Sequence, residues 1–135
     1  MNYPITELDK IAPGVGEILK ANKIRTTNRL LDAARTHKKR LELAKTTGVP
    51  ASAILRCTTM SDRLRVKGIG REHAELLELA GVKTVQDLRY RNPSNLADAM
   101  AKANSKHKLM RVPPTEKIIA RWIEHAKKLP IQVSY

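Results

Sequence analysis

The stretch "LRVKGIGREHAELLELAGVKTVQDL", residues 64–88, sets a glycine–isoleucine–glycine turn directly ahead of an amphipathic run. Ala74, Leu76, Leu77 and Ala80 recur at helical spacing, and Gly81 ends the run. Thr84 and Asp87 form a capping-box pattern that starts another helix before Leu88. Gly68 and Gly70 permit a tight turn with positive φ and leave the backbone uncovered, so consecutive N–H groups can face a phosphate. The helix starting near Arg71 adds unsatisfied N–H donors and the positive end of its dipole. Arg63, Arg65, Lys67 and Arg71 surround the turn with cations. A glycine turn between two helices also serves as a plain connection with no ligand.

Working outward, helical spacing recurs at 15–22 (Val15, Ile18, Leu19), 27–34 (Leu30, Leu31, Ala34) and 93–103 (Leu96, Ala99, Met100, Ala103). In "TEKIIARWIEHAKKL", Ile118, Ile119, Trp122, Ile123 and Ala126 make one apolar stripe, with Lys127 and Lys128 in the last turn where cations suit the dipole. Asn92-Pro93 reads as an N-cap followed by proline at the first helical position. Alternation is confined to "PIQVSY", where Ile131, Val133 and Tyr135 suit a short extended tail against the body. The expected class is all-α.

An offset of 58 places "IRTT" (24–27) over "VKTV" (82–85). Leu8 then falls on Val66, Ile11 on Ile69, Leu19 on Leu77, Ile24 on Val82 and Leu30 on Leu88 without a gap. Two copies of one helix–turn–helix unit, stacked to bury each other's apolar faces, are expected. In this register Lys10-Ile11-Ala12 replaces Gly68-Ile69-Gly70, so the first hairpin is degenerate. Pro13 is expected to open the following helix, with Gly14 and Gly16 allowing close packing in its first turn. The organisation is residues 1–60, first repeat with connecting helices, and residues 61–135, second repeat with the C-terminal helix, within a single globular unit.

Charge is the strongest global signal. Lys and Arg number 26 against 13 Asp and Glu, a net +13. Residues 1–60 carry 11 basic and 5 acidic side chains, 61–112 carry 11 and 6, and 113–135 carry 4 and 2, so the surplus belongs to the folded body. Such a surplus favours a polyanion. No apolar run approaches the roughly 20 residues that span a bilayer, and "MNYPITELDK" lacks a signal peptide's apolar core. One cysteine, Cys57, excludes an internal disulfide and fits a reducing cytosol, so a cytoplasmic location is expected. Three tyrosines, one tryptophan and no phenylalanine leave few rings for stacking single strands.

Residues 64–88 resemble the helix-hairpin-helix motif of DNA-repair and recombination proteins, with Gly68-Ile69-Gly70 at its hairpin and Ala74, Leu77 and Val82 at its packing positions. "LDKIAPGVGEILKANKIRTTNRLL" (8–31) resembles a second copy with Lys10 and Ala12 in place of the glycines. Over nearly the whole chain the order of segments is similar to an uncharacterised family of tandem helix-hairpin-helix proteins, domain of unknown function 4332. The resemblance implies a helical fold and binding of DNA phosphates beside the minor groove, without sequence reading and sometimes with a monovalent cation at the 68–70 hairpin. That role transfers to Gly68, Ile69 and Gly70, flanked by Lys67 and Arg71.

Other chemistry is weakly supported. Some helix-hairpin-helix proteins are glycosylases with an Asp after the hairpin, but Asp87 is explained as a capping partner, and Asp98 as a solvated residue. The histidines (His37, His73, His107, His125) form no metal-ligand pattern, and His73 reads as a helix-surface residue. Cys57 follows Ile54-Leu55 and reads as a buried thiol. "RTHKKRLELAK" (35–45) concentrates Arg35, Lys38, Lys39, Arg40 and Lys45 on a helix whose Leu41 and Ala44 would face inward, a second phosphate-tracking face or simply a solvated one. "TGVPASAIL" offers only Ala51, Ser52 and Ala53 to bases and reads as a core helix. The expected function is non-enzymatic, sequence-independent binding of double-stranded DNA, with no cofactor and no membrane partner. An acidic protein partner or RNA is the alternative.

Overall fold

The computed structural model describes residues 2–135 and is all-α, with no strand among the described residues. The chain divides into two units, Met1–Asp62 together with Gln132–Tyr135, and Arg63–Ile131. No helix among the described residues is long and apolar enough to cross a membrane.

The first unit opens with a 3-10 helix (Ile5–Lys10), then α1 (Val15–Ala21), α2 (Thr27–Ala33), α3 (His37–Thr47) and α4 (Ala51–Arg63), whose last residue belongs to the second unit. Its core contains Ile5, Leu8, Leu19, Leu30, Leu31, Ile54 and Cys57. Thr26 and Thr36 start α2 and α3 by accepting the N–H groups of Arg29 and Lys39. Along α4, Ile54, Cys57 and Met60 are buried, and the hydroxyls of Thr58 and Ser61 donate to Ile54 O and Cys57 O one turn back. Burial pushes the Cys57 thiol up to about 11, against the opposing charge of Arg56, so it is no nucleophile at neutral pH.

Pro13 does not open α1. Val15 N–H donates to Ala12 O at 3.1 Å and Gly14 sits at φ 81°, ψ −15°. This is a type II turn, for which proline followed by glycine is the preferred pair. Gly16 does allow close approach: its N–H donates to Asp9 Oδ1 at 2.7 Å, and a Cβ there would stand 2.9 Å from Ile5 O and 3.0 Å from Thr6 Cα. Those backbone atoms cannot yield. Gly16→Ala is therefore expected to destabilise the protein by about 2 kcal/mol, despite alanine's ~1 kcal/mol advantage within a helix. A shift of the urea midpoint, with unchanged slope, measures it.

On α3 the inward stripe is Arg40, Leu43, Ala44 and Thr47, and Leu41 is exposed, contrary to the sequence expectation. The Arg40 guanidinium donates to Ala34 O (2.9 Å), Arg35 O (3.1 Å) and Ser134 O (2.6 Å). It thus pins the C-terminal segment, where Ser134 N–H also donates to Arg35 O and Val133 is buried. Ile131 and Tyr135 are exposed, so the expected apolar alternation places only Val133 inside.

The second unit contains α5 (Arg71–Leu79), α6 (Val85–Arg89), α7 (Pro93–His107) and α8 (Glu116–Lys128), with α8 packed on α6 and α7 and α5 packed on α7. Thr84 and Asp87 close the expected capping box, and Asn92 caps α7 ahead of Pro93. Arg89 Nε donates to Ala126 O (2.9 Å) and its Nη2 to Leu129 O, satisfying carbonyls at the end of α8.

Positions 58 residues apart share local backbone geometry. Ile24 N–H donates to Leu19 O and Val82 N–H to Leu77 O, both at 2.9 Å. Lys23 (φ 67°) and Gly81 (φ 93°) are both left-handed. Ile11 N–H donates to Leu8 O and Ile69 N–H to Val66 O, both at 3.1 Å. The helices α1 and α5 begin 56 residues apart instead, because the Ala12–Val15 turn lengthens the first connection.

Candidate nucleic-acid interface

The hairpin between α4 and α5 is built around one buried anchor. Ile69 is 1% exposed and its N–H is committed to Val66 O, so it holds the turn from beneath rather than offering a donor. Gly68 carries the positive φ, 91°, whereas Gly70 is extended at φ −91°, ψ −176°. The expectation of positive φ at both glycines is corrected: a single left-handed residue reverses the chain, and Gly70 then serves as the N-cap of α5. No side chain caps that helix. The N–H groups of Gly68 and Gly70 have no acceptor among the described residues. Lys67 N–H, by contrast, donates to His125 Nδ1 at 2.9 Å.

The cations expected around the turn separate into two groups. Lys67 is exposed, and Arg71 is half-buried in the first turn of α5. Arg63 and Arg65 are interior. Arg63 Nε donates to Ala74 O (2.8 Å), its Nη1 to Lys83 O (2.9 Å), and its Nη2 lies 3.7 Å from Glu78 Oε2. Arg65 Nη2 donates to Pro130 O at 2.6 Å. These two guanidiniums replace backbone partners in the core and are removed from the candidate site, as is Arg40 in the first unit. Arg35, Lys38 and Lys39 are exposed, with Lys39 Nζ 3.3 Å from Asp32 O.

Sequence reasoning missed the groove beside the hairpin. Its volume is about 780 Å³, with Lys67 and Gly68 on one side and α8 on the other. Lys117, Arg121 and Lys128 line it from α8, three cations spaced along one helix face, and all are exposed. The helical spacing of 117, 121 and 128 was visible in the sequence; their nearness to residues 67–68 depends on how α8 packs. Ile118, expected in the core stripe, is 40% exposed at this groove. Trp122 is 2% exposed, lines the groove and stands against Gly68, where a Cβ would come within 3.3 Å of its Nε1.

His73 lies against that indole, its ring centroid 5.1 Å away in an edge-on arrangement. Burial pushes its imidazole below the usual histidine value, with Glu72 pulling the other way. It is a neutral packing residue rather than a free surface histidine. No cluster of three His, Cys, Asp or Glu side chains with metal-binding geometry occurs among the described residues.

A family model described as a domain of unknown function (DUF4332) matches residues 9–129. The chain belongs to the DUF4332 family. The match takes in the 67–71 hairpin and all of α8, so both walls of the groove lie within the DUF4332 region. No curated protein and no solved structure matches this DUF4332 chain.

Proposed function

We propose that the protein is a non-enzymatic, sequence-independent binder of double-stranded DNA, built on two helix-hairpin-helix-like copies of which the second does the gripping. The observation that carries this is the uncapped hairpin, with free Gly68 and Gly70 N–H groups at the start of α5 and Lys67, Lys117, Arg121 and Lys128 around it. Backbone donors and a helix N-terminus suit phosphate oxygens, and lysines and arginines add salt-sensitive affinity without reading bases. The matching turns 58 residues apart, Lys23 with Gly81 and Ile24 with Val82, support the two-copy reading. In the first copy Lys10 and Ala12 stand in place of the hairpin glycines and the Ala12–Val15 turn lengthens the connection, so the hairpin's phosphate contact is assigned to the second copy, residues 67–71, and not to the first. The apolar floor of the groove favours one second reading, docking of an acidic protein segment.

Gly70→Val tests the assignment. Position 70 has an ordinary negative φ and nothing within 4 Å of a Cβ, so the branched side chain fits and covers the hairpin amides. It costs about 1 kcal/mol as a poorer N-cap. Affinity for a random-sequence duplex should fall about tenfold at 50 mM salt, the equivalent of one or two charge-assisted hydrogen bonds. Unchanged affinity in the folded variant would remove the hairpin from the binding site.

A further inference from the structure

The groove beside the hairpin is larger and more apolar than a grip on a duplex backbone requires. Its walls include Ile118, Ala120 and Trp122, and the cations Lys67, Lys117, Arg121 and Lys128 surround this apolar surface. A ligand that satisfies both is an anion carrying a flat apolar body. At about 780 Å³ the groove falls in the range of small-molecule sites, roughly 300–1,000 Å³, and is too small to admit a duplex.

Donors converge at its hairpin side. Gly68 N–H is open, and a Cβ on Gly68 would stand 3.3 Å from Trp122 Nε1. Most of the Trp122 side chain is buried, but its indole N–H has no acceptor among the described residues and is open to solvent at the groove it lines. His125 also lines the groove. Because its Nδ1 accepts the Lys67 N–H, its ring proton resides on Nε2, which adds a further donor. Glu124 lines the groove too and is engaged by Lys127 at 3.1 Å.

We propose, resting on the DNA-binding reading above, that this groove takes the unpaired terminal nucleotide of a DNA duplex. The terminal phosphate meets Gly68 N–H, Trp122 Nε1 and the flanking cations, and the base lies on Ile118 and Ala120. The protein is thereby a binder of DNA ends rather than of continuous duplex. Apolar side chains of this kind pack against unstacked bases, and a base at a strand end is already free of one neighbour.

The test uses three probes of one sequence and length, read by fluorescence anisotropy at 50 mM salt. One is a duplex closed by loops at both ends, one is blunt, and one carries a 5′-phosphorylated single-nucleotide overhang. The overhang probe should bind at least about fivefold tighter than the closed duplex, as expected for burial of one base face. Ile118→Asn, at an exposed position and adding no charge among the groove cations, should abolish that preference while leaving closed-duplex affinity within about twofold. Equal affinity for all three probes in the wild-type protein overturns end binding and leaves duplex binding standing. Failure of all three to bind overturns both and leaves an acidic protein segment as the groove's ligand class. Preference for the overhang that survives Ile118→Asn places the end elsewhere and also overturns the proposal.

Discussion

Arg63→Ala is expected to lower the unfolding free energy by about 3–5 kcal/mol, the largest stability effect of any single substitution considered. The side chain is 1% exposed, and its guanidinium holds two backbone carbonyls from different segments, Ala74 O in α5 and Lys83 O just ahead of α6, with Glu78 3.7 Å away. Truncation leaves the Lys83 carbonyl without that partner, takes the Arg63 charge away from Glu78, and opens a cavity where a long side chain was packed. Arg63→Lys should recover little, since one ammonium on a flexible stem cannot reproduce a planar fork aimed at three acceptors. Arg63→Met restores the volume but not the hydrogen bonds and should fall between the two. Urea unfolding decides the matter, and a loss under about 1 kcal/mol for Arg63→Ala would contradict the structural role. The same variant separates two uses of a cation. A phosphate contact would lose DNA affinity at intact stability, whereas the core staple loses stability first.

Arg63 also shows where sequence reading stops. The caps were legible because they are local: Thr84 with Asp87, and Asn92 with Pro93, satisfy donors within one helical turn, so spacing alone specifies them. The apolar positions Ala74, Leu77, Ile119 and Ala126 were legible for the same reason, since helix period fixes which side chains share a face. An arginine's fate is different. Whether its guanidinium meets solvent or a stray carbonyl depends on segments far along the chain, as with Arg65 and Pro130, or Arg40 and Ser134. Part of the +13 charge that suggested a polyanion is therefore spent inside the protein, where the carbonyls that needed partners could not be counted from sequence. Pro13-Gly14 is the opposite case: the pair is a local type II signal, and aligning the two apolar frames without a gap concealed it. The groove face of α8 lies between these extremes. Its spacing was in view, but Ile118 counts as core or as floor only once the packing of α8 on α6 and α7 is known.

If the groove cations bind phosphates, Lys117→Gln, Arg121→Gln and Lys128→Gln combined should produce the largest loss of function. Each cation that neutralises a phosphate releases condensed counterions, so log K against log salt should become shallower by about 2.7 for three contacts. With the electrostatic contribution fading towards 1 M salt, the same slope corresponds to a loss of nearly three orders of magnitude, roughly 500-fold, at 0.1 M. All three side chains are exposed, so the combined variant should stay within about 1 kcal/mol of wild type, most of it from Lys128 in the last turn of α8. Removing charge anywhere weakens attraction to a polyanion, and a control is needed that takes charge from outside the groove. Lys102→Gln with Lys106→Gln serves, because both are exposed on α7 and neither lines it. That pair should change the slope by less than about one, since a cation that neutralises no phosphate releases few counterions. A slope that falls in proportion to the charges removed, whichever set is chosen, would mean that DNA is held by net charge alone and that no defined interface exists. A slope that falls only with the α8 set assigns the contact to the wall of the groove facing Gly68, where backbone donors, a helix N-terminus and three cations act on the same phosphates.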